Sequence, residues 1–320
     1  MVIAGYELHQ PCSCSPGDQG RGDIPLVEPG YIVMKSKRAN REKKKGAPAW
    51  ATAPFRQFLE NIERLYHVIH LSTRGISMLR GAPKMIEALM KVEGVSSGSK
   101  KAQLDNARKE ADLAQREVDF GFPVLHAWAI VGLWAYLESL IRVFVASWLK
   151  HKRSSWQVDQ IQRLRIQLGE YQSIPREQKH AFVAELLEKE LGAGLKCGVT
   201  RFEMLLEPFG LSGDIPEILR RTIYEFGQVR NVIVHRGATV DRQFAQACPW
   251  LNVQIGTDLQ VSAEMFRRYY FAAGAYVTLL ICRVGEKYGV DMSENRISVE
   301  KKMESALANK PFHSDAGARC

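Results

Sequence analysis

The stretch from Val124 to Leu149 constrains this chain most, because it is long and apolar enough to cross a bilayer as a helix. Glu138 and Arg142 interrupt it, four residues apart and so on one helical face, where they can pair. Two charges near the middle of a span are costly in lipid. Trp128, Trp134 and Trp148 suit a packed core helix. The segment is therefore expected to be a buried core helix, with no membrane as partner. The start, Met1 to Glu7, has neither a basic region nor a long apolar run, so no signal peptide is expected. The 6 cysteines are too scattered for a disulfide framework, and Cys12 and Cys14 have no second ligand pair for zinc. A cytoplasmic, reducing setting is the expectation.

Around that helix the apolar periodicity predicts others. Residues 1–48 hold Pro11, Pro16, Pro25 and Pro29 and keep no period of 2 or 3.6, which reads as a disordered tail. Pro54 to Leu79 reads as a helix through Phe55, Phe58, Ile62, Leu65 and Ile69, and Pro83 to Val92 as a short second one. A loop from Gly94 to Ser99 precedes Lys100 to Asp119, where Leu104, Ala107, Ala111, Ala114 and Val118 form a coiled-coil-like seam too short to stand alone. Lys150 to Gln172 reads as a solvent-facing helix, Pro175 to Leu191 as another, and Gly192 to Gly198 as a turn.

The best-delimited helix is Asp214 to Arg236. Asp214 and Glu217 resemble a capping box, Ile215, Leu219, Ile223, Phe226, Val229 and Ile233 make a stripe, and Gly237 stops it. Asn252 to Ser262 alternates like a small β-hairpin. Ser262 to Tyr288 is the last long helix, and beyond Gly289 a polar tail is expected to fray. The sum is an all-α helical bundle with one small β-hairpin insertion. Its expected divisions are a tail (1–48), accessory helices (49–119), a main helical domain (120–290) and a flexible C-terminal tail (291–320).

Charge narrows the partners. Lys and Arg number 44 against 35 Asp and Glu, a net +9. Much of the excess lies in Lys35, Lys37, Arg38, Arg41, Lys43, Lys44 and Lys45, with Glu42 the one acid between them. Such a run draws polyanions by counterion release, and it also suits a solvated tail. Several enzyme classes are excluded by absent motifs: no phosphate-binding Gly-rich loop, no dinucleotide fingerprint, no His-Glu-x-x-His helix and no Gly-x-Ser-x-Gly elbow. Cys197, Cys248 and Cys282 have no adjacent His and read as core rather than as nucleophiles. No cofactor or metal is expected.

One polar constellation remains, Arg230-Asn231-Val-Ile-Val-His235, at the end of the capped helix. Asn231 and His235 lie roughly 40° apart on one face, whereas Arg230 and His235 differ by roughly 140°. Asn231 can orient His235 while Arg230 flanks that face. Such a trio can handle a phosphodiester: His moves a proton, Arg neutralises developing charge, and Asn fixes the imidazole. The competing reading is a C-capping histidine bonded to the last carbonyls. Arg64 and His70 offer a control, because Leu65 stands where the polar third member would be.

The Arg230-Asn-x-x-x-His235 motif resembles that of the HEPN (higher eukaryotes and prokaryotes nucleotide-binding) superfamily. Phe209-Gly-Leu-Ser-Gly213 and Gln228 to Gly237 are similar to bacterial members of that group, over roughly residues 120–290. The resemblance implies a small HEPN-like bundle and a metal-independent endoribonuclease of toxin–antitoxin, phage-defence or RNA-processing type. It implies RNA as substrate, a homodimer with a composite site, and possible pairing with an antitoxin protein. It also implies an acid near the motif arginine, for which Glu138 is the candidate. A non-catalytic helical module binding RNA, nucleotide or protein is the alternative.

Overall fold

The computed structural model describes residues 46–93 and 98–307. Their helices are α1 (Ala49–Leu79), α2 (Ala82–Glu93), α3 (Gly98–Asp119), α4 (Pro123–His151), α5 (Asp159–Gln162), α6 (Leu168–Ser173), α7 (Lys179–Glu190), α8 (Val199–Leu206), α9 (Glu217–Arg236), α10 (Arg242–Ala247), α11 (Ala263–Lys287) and α12 (Ser293–Leu307). The fold is all-α, with no strand among the described residues. The expected disordered tail, with its basic run, lies outside them up to residue 45, as do residues 94–97 and 308–320.

Helix α4 organises the rest. Gly121 and Phe122 both take positive φ (71° and 60°), which breaks the chain between α3 and α4, and Pro123 then presets the first turn. Its buried residues, among them Ile130, Leu133, Trp134, Leu137, Ile141, Phe144, Trp148 and Leu149, wrap most of the helix circumference because it has neighbours on several sides. It is long and apolar enough to span a membrane, and half of its most apolar window is buried inside the protein. Trp134 and Trp148 are core residues as expected, but Trp128 is 66% exposed.

Helix α1 is more than an accessory. It lies antiparallel along α4, with Phe55 against Phe144 (ring centroids 4.9 Å apart) and Leu65 at Gly132, and its Tyr66 meets Tyr270 of α11. In α3 the seam residues Leu104, Ala107, Ala111 and Ala114 are buried against neighbouring helices.

Helices α9 and α11 complete the core. Trp134 meets Phe226 edge-on at 4.9 Å, and Phe226 stacks on Tyr269 at 5.0 Å. A Cβ at Gly227 would stand 3.0 Å from Trp134 Cη2, so α9 approaches α4 closely because this position has no side chain.

Four expectations are corrected. Lys150 to Gln172 is not one helix: the Trp156 indole folds back and donates to Leu149 O at 2.9 Å, capping α4, and a 3₁₀ turn at Arg153–Gln157 leads to the short α5 and α6. The Asp214 capping box is absent, because α9 starts at Glu217 behind an N-cap Pro216 without a side-chain cap, while Asp214 O accepts from Arg283. No hairpin forms within 252–262. Gly256 (φ 85°) turns that segment against the chain leaving α9, where Val240 N donates to Thr257 O (2.9 Å) and Thr239 bridges Asp258. The expected frayed tail includes α12, whose Val299, Met303 and Leu307 recur every four residues and are buried against its neighbours α11 and α9.

Candidate functional site

The motif sits at the C-terminal end of α9. Gly237 (φ 58°) and Ala238 (φ 67°) are left-handed, and Ala238 N–H donates to Val232 O at 3.1 Å, which ends the helix at Arg236, one residue after His235. Val232 is buried where the stripe anticipated Ile233, which is half-buried. Arg230 is half-buried and its Nη1 donates to Asn231 Oδ1 at 3.1 Å, whereas its Nε is buried with no acceptor. Asn231 and His235 are exposed. The oxygen of Asn231 faces Arg230, and no hydrogen bond joins Asn231 to His235 among the described residues. The structure thus places Arg230 with Asn231 and leaves His235 unoriented.

Helix geometry shows what surrounds His235. Facing contacts at Trp134 and Gly227 fix how α4 and α9 meet, and they run antiparallel: Glu138 binds Arg201 of α8, whose entry Gly198 lies against Tyr224. On both helices α11 lies on one flank, through His126–Phe266 and Phe226–Tyr269. The opposite flank carries α7 and α8, through Arg142–Glu188 and Glu138–Arg201. At 100° per residue, Val124 and Trp128 point roughly 80° and 120° from Trp134 toward that second flank, and Asn231 and His235 roughly 40° and 80° from Gly227 toward the same one. The side-chain contacts of α7 and α8 with α4 run from Trp134 through Glu138 to Arg142, and α8 is entered beside Tyr224 of α9. Val124, Trp128, Asn231 and His235 therefore share one uncovered face, which Val234, 43% exposed, adjoins.

Glu138 lies at the other end. It accepts from Arg201 Nη1 at 2.5 Å, and Arg201 also binds Glu188 (2.6 Å), which in turn accepts from Arg142 Nε at 3.0 Å. The antiparallel arrangement puts Glu138 beside the N-terminal half of α9, away from Arg230. Neither expected partner is used: Glu138 meets Arg201 rather than Arg142 or Arg230. Burial works to raise the Glu188 carboxyl, but the hydrogen bonds and charges of Arg201 and Arg142 prevail and hold it below the ordinary carboxylate range. Sequence reading missed Arg201 and Glu188. The signal was an acid in an apolar helix, which requires a cation from elsewhere in the chain.

A second buried acid was also missed. Glu225 is fully buried on α9, where it accepts from the Tyr269 hydroxyl (2.7 Å), Arg268 Nη1 (3.2 Å) and the Trp250 indole. It ties α9 to α11 and to the segment after α10. Burial, aided by Glu225, pushes the Cys248 thiol up to about 12, and burial also raises Cys282, so neither is a thiolate at neutral pH. Cys197 is exposed. No cluster of three His, Cys, Asp or Glu side chains suited to a metal occurs among the described residues.

No family model, curated protein or solved structure matches this chain. The reading of its site therefore rests on the residues themselves.

Proposed function

We propose that this chain is a metal-independent endoribonuclease of the HEPN type, acting as a cytoplasmic homodimer in a toxin or phage-defence role. The observation that carries this reading is the Arg230–Asn231 pair one helical turn before an exposed His235. A buried guanidinium N–H without an acceptor costs about 1–3 kcal/mol, which a substrate phosphate oxygen drawing Arg230 outward would relieve. In the proposed reaction His235 takes the proton of a ribose 2′-hydroxyl. That oxygen attacks the adjacent phosphorus, Arg230 stabilises the phosphorane, and the 5′ oxygen leaves after protonation. The products are a 2′,3′-cyclic phosphate and a 5′-hydroxyl. A second copy docked on the uncovered face would bury Val124, Trp128 and Val234 and bring two motifs together.

The same apolar face also favours the alternative, a non-catalytic module for RNA, nucleotide or a protein such as an antitoxin, because His235 has no orienting partner among the described residues. Purified wild type, His235→Ala and Arg230→Lys on mixed RNA separate the two readings. The ribonuclease reading expects His235→Ala to lose about 10²-fold or more in cleavage at unchanged helicity. Arg230→Lys is impaired if a planar fork grips the phosphate. EDTA leaves cleavage unchanged and DNA is spared. Equal cleavage by wild type and His235→Ala refutes the assignment.

A further inference from the structure

On the flank that α7 covers, the link between α5 and α6 forms a concavity of about 660 Å³ with the end of α7, lined by Arg163, Leu164, Arg165, Leu186, Lys189 and Glu190. Three cations meet one acid there. The largely buried cations Arg201, Arg268 and Arg283 are matched to acids: Arg201 with Glu138 and Glu188, Arg268 with Glu225, Arg283 with Glu203. Arg163, Arg165 and Lys189 make no side-chain hydrogen bond or ion pair among the described residues. Lys189 also lines the adjoining concavity of about 620 Å³, which holds Arg142 and Glu188, already bonded to each other.

Three cations around one acid leave the concavity net positive, and an anion placed between them is attracted. Two guanidiniums supply planar forks matched to phosphate oxygens, and Lys189 adds a point charge. Leu164 and Leu186 give the walls an apolar part. The position is informative as well. Arg142, beside this concavity, projects toward the same flank as His235 but lies near the far end of α4. His235 is level with about residue 126, so at 1.5 Å per residue the two regions are on the order of 25 Å apart along α4.

We infer that the Arg163–Arg165–Lys189 concavity is a phosphate-binding site that holds the backbone of single-stranded RNA at a distance from the motif. RNA as the ligand rests on the ribonuclease reading, whereas the phosphate chemistry stands without it.

The test uses the full chain and a fluorescein-labelled 2′-O-methyl RNA oligonucleotide, which lacks the nucleophile and stays uncut. Binding is measured by anisotropy against salt for wild type, for Arg163→Gln/Arg165→Gln/Lys189→Gln, and for Lys101→Gln/Lys109→Gln/Arg116→Gln. The last variant removes the same charge from exposed positions on α3. Neutralising the concavity should weaken binding at least tenfold and flatten the slope of log K against log salt by about 2, three contacts at about 0.7 each. The α3 variant should change binding less than threefold. Helicity by circular dichroism identifies any variant that misfolds. In a second arm, tripolyphosphate is scored by the thermal shift it produces. A shift lost in the concavity variant, with RNA binding unaffected, keeps the phosphate site and overturns RNA as its ligand. Wild-type affinity and slope in the concavity variant, with no tripolyphosphate shift in either protein, overturn the site. The cleavage assay reads His235 and the binding assay reads the concavity, so a failed cleavage assay and a failed binding assay count against different claims.

Discussion

The two halves of α4 meet one flank in opposite ways. Its C-terminal half is sealed by α7 and α8 through Glu138, Arg142, Glu188 and Arg201, a chain of acids and cations in which every charge is answered. Its N-terminal half, beside the end of α9, is left open, with Trp128 and Val124 exposed near Asn231 and His235. One half spends its polar residues on holding helices together. The other leaves a polar motif beside apolar surface, which adds little to the stability of a single chain. The proposed docking of a second copy would cover the exposed Val124 and Trp128.

The sharpest break of this contrast is Arg201→Ala. It strands two largely buried carboxylates and should lower unfolding free energy by about 3 kcal/mol in urea titrations. Adding Glu138→Gln and Glu188→Gln should restore much of the loss. If Arg201→Ala is neutral, the sealed half is not held by its charges. Next is Gly227→Ala. The added methyl meets Trp134, and after the helix-propensity gain the net loss should be about 1–2 kcal/mol. A stabilised variant would show that α9 can move away from α4.

Acid should act on the sealed half. With its pKa depressed, Glu188 contributes fully above the ordinary carboxylate pKa, and that contribution fades as pH falls through its lower folded value. Urea midpoints in that acid window should fall further for wild type than for Glu188→Gln, and parallel curves would contradict the assignment. The smallest effects belong to the open half. Trp128→Ala and His235→Ala should each change single-chain stability by less than about 0.5 kcal/mol. Trp128→Ala should nonetheless shift sedimentation from dimer toward monomer, and a monomeric wild type would remove the second copy from the account.

The long elements were legible because each carries a continuous apolar stripe between plain punctuation. Gly237 and Ser262 stop and start helices where the sequence indicates, the Ser262 side chain accepting from Met265 N at 3.1 Å. The misreadings share one physical cause, namely that a distant group replaced a local rule. The Leu149 carbonyl bends Trp156 out of a continuing helix, Arg283 takes the carbonyl of Asp214, and α9 and α11 order a segment with too little apolar surface to predict a helix. At the site, the spacing of Arg230, Asn231 and His235 was legible, but their hydrogen bonds were not. Glu138 showed that it needed a cation without showing which one, since Arg201 lies 63 residues away in sequence.

The central claim is that His235 carries out phosphodiester chemistry on the open face. The most direct measurement is mass spectrometry of the ends left on a defined RNA by wild type and by His235→Ala, both in excess EDTA. The account predicts 2′,3′-cyclic phosphate and 5′-hydroxyl ends from wild type and at least 10²-fold fewer from His235→Ala. Uncut RNA with dimeric wild type, or the same ends in equal amount from both proteins, would contradict it.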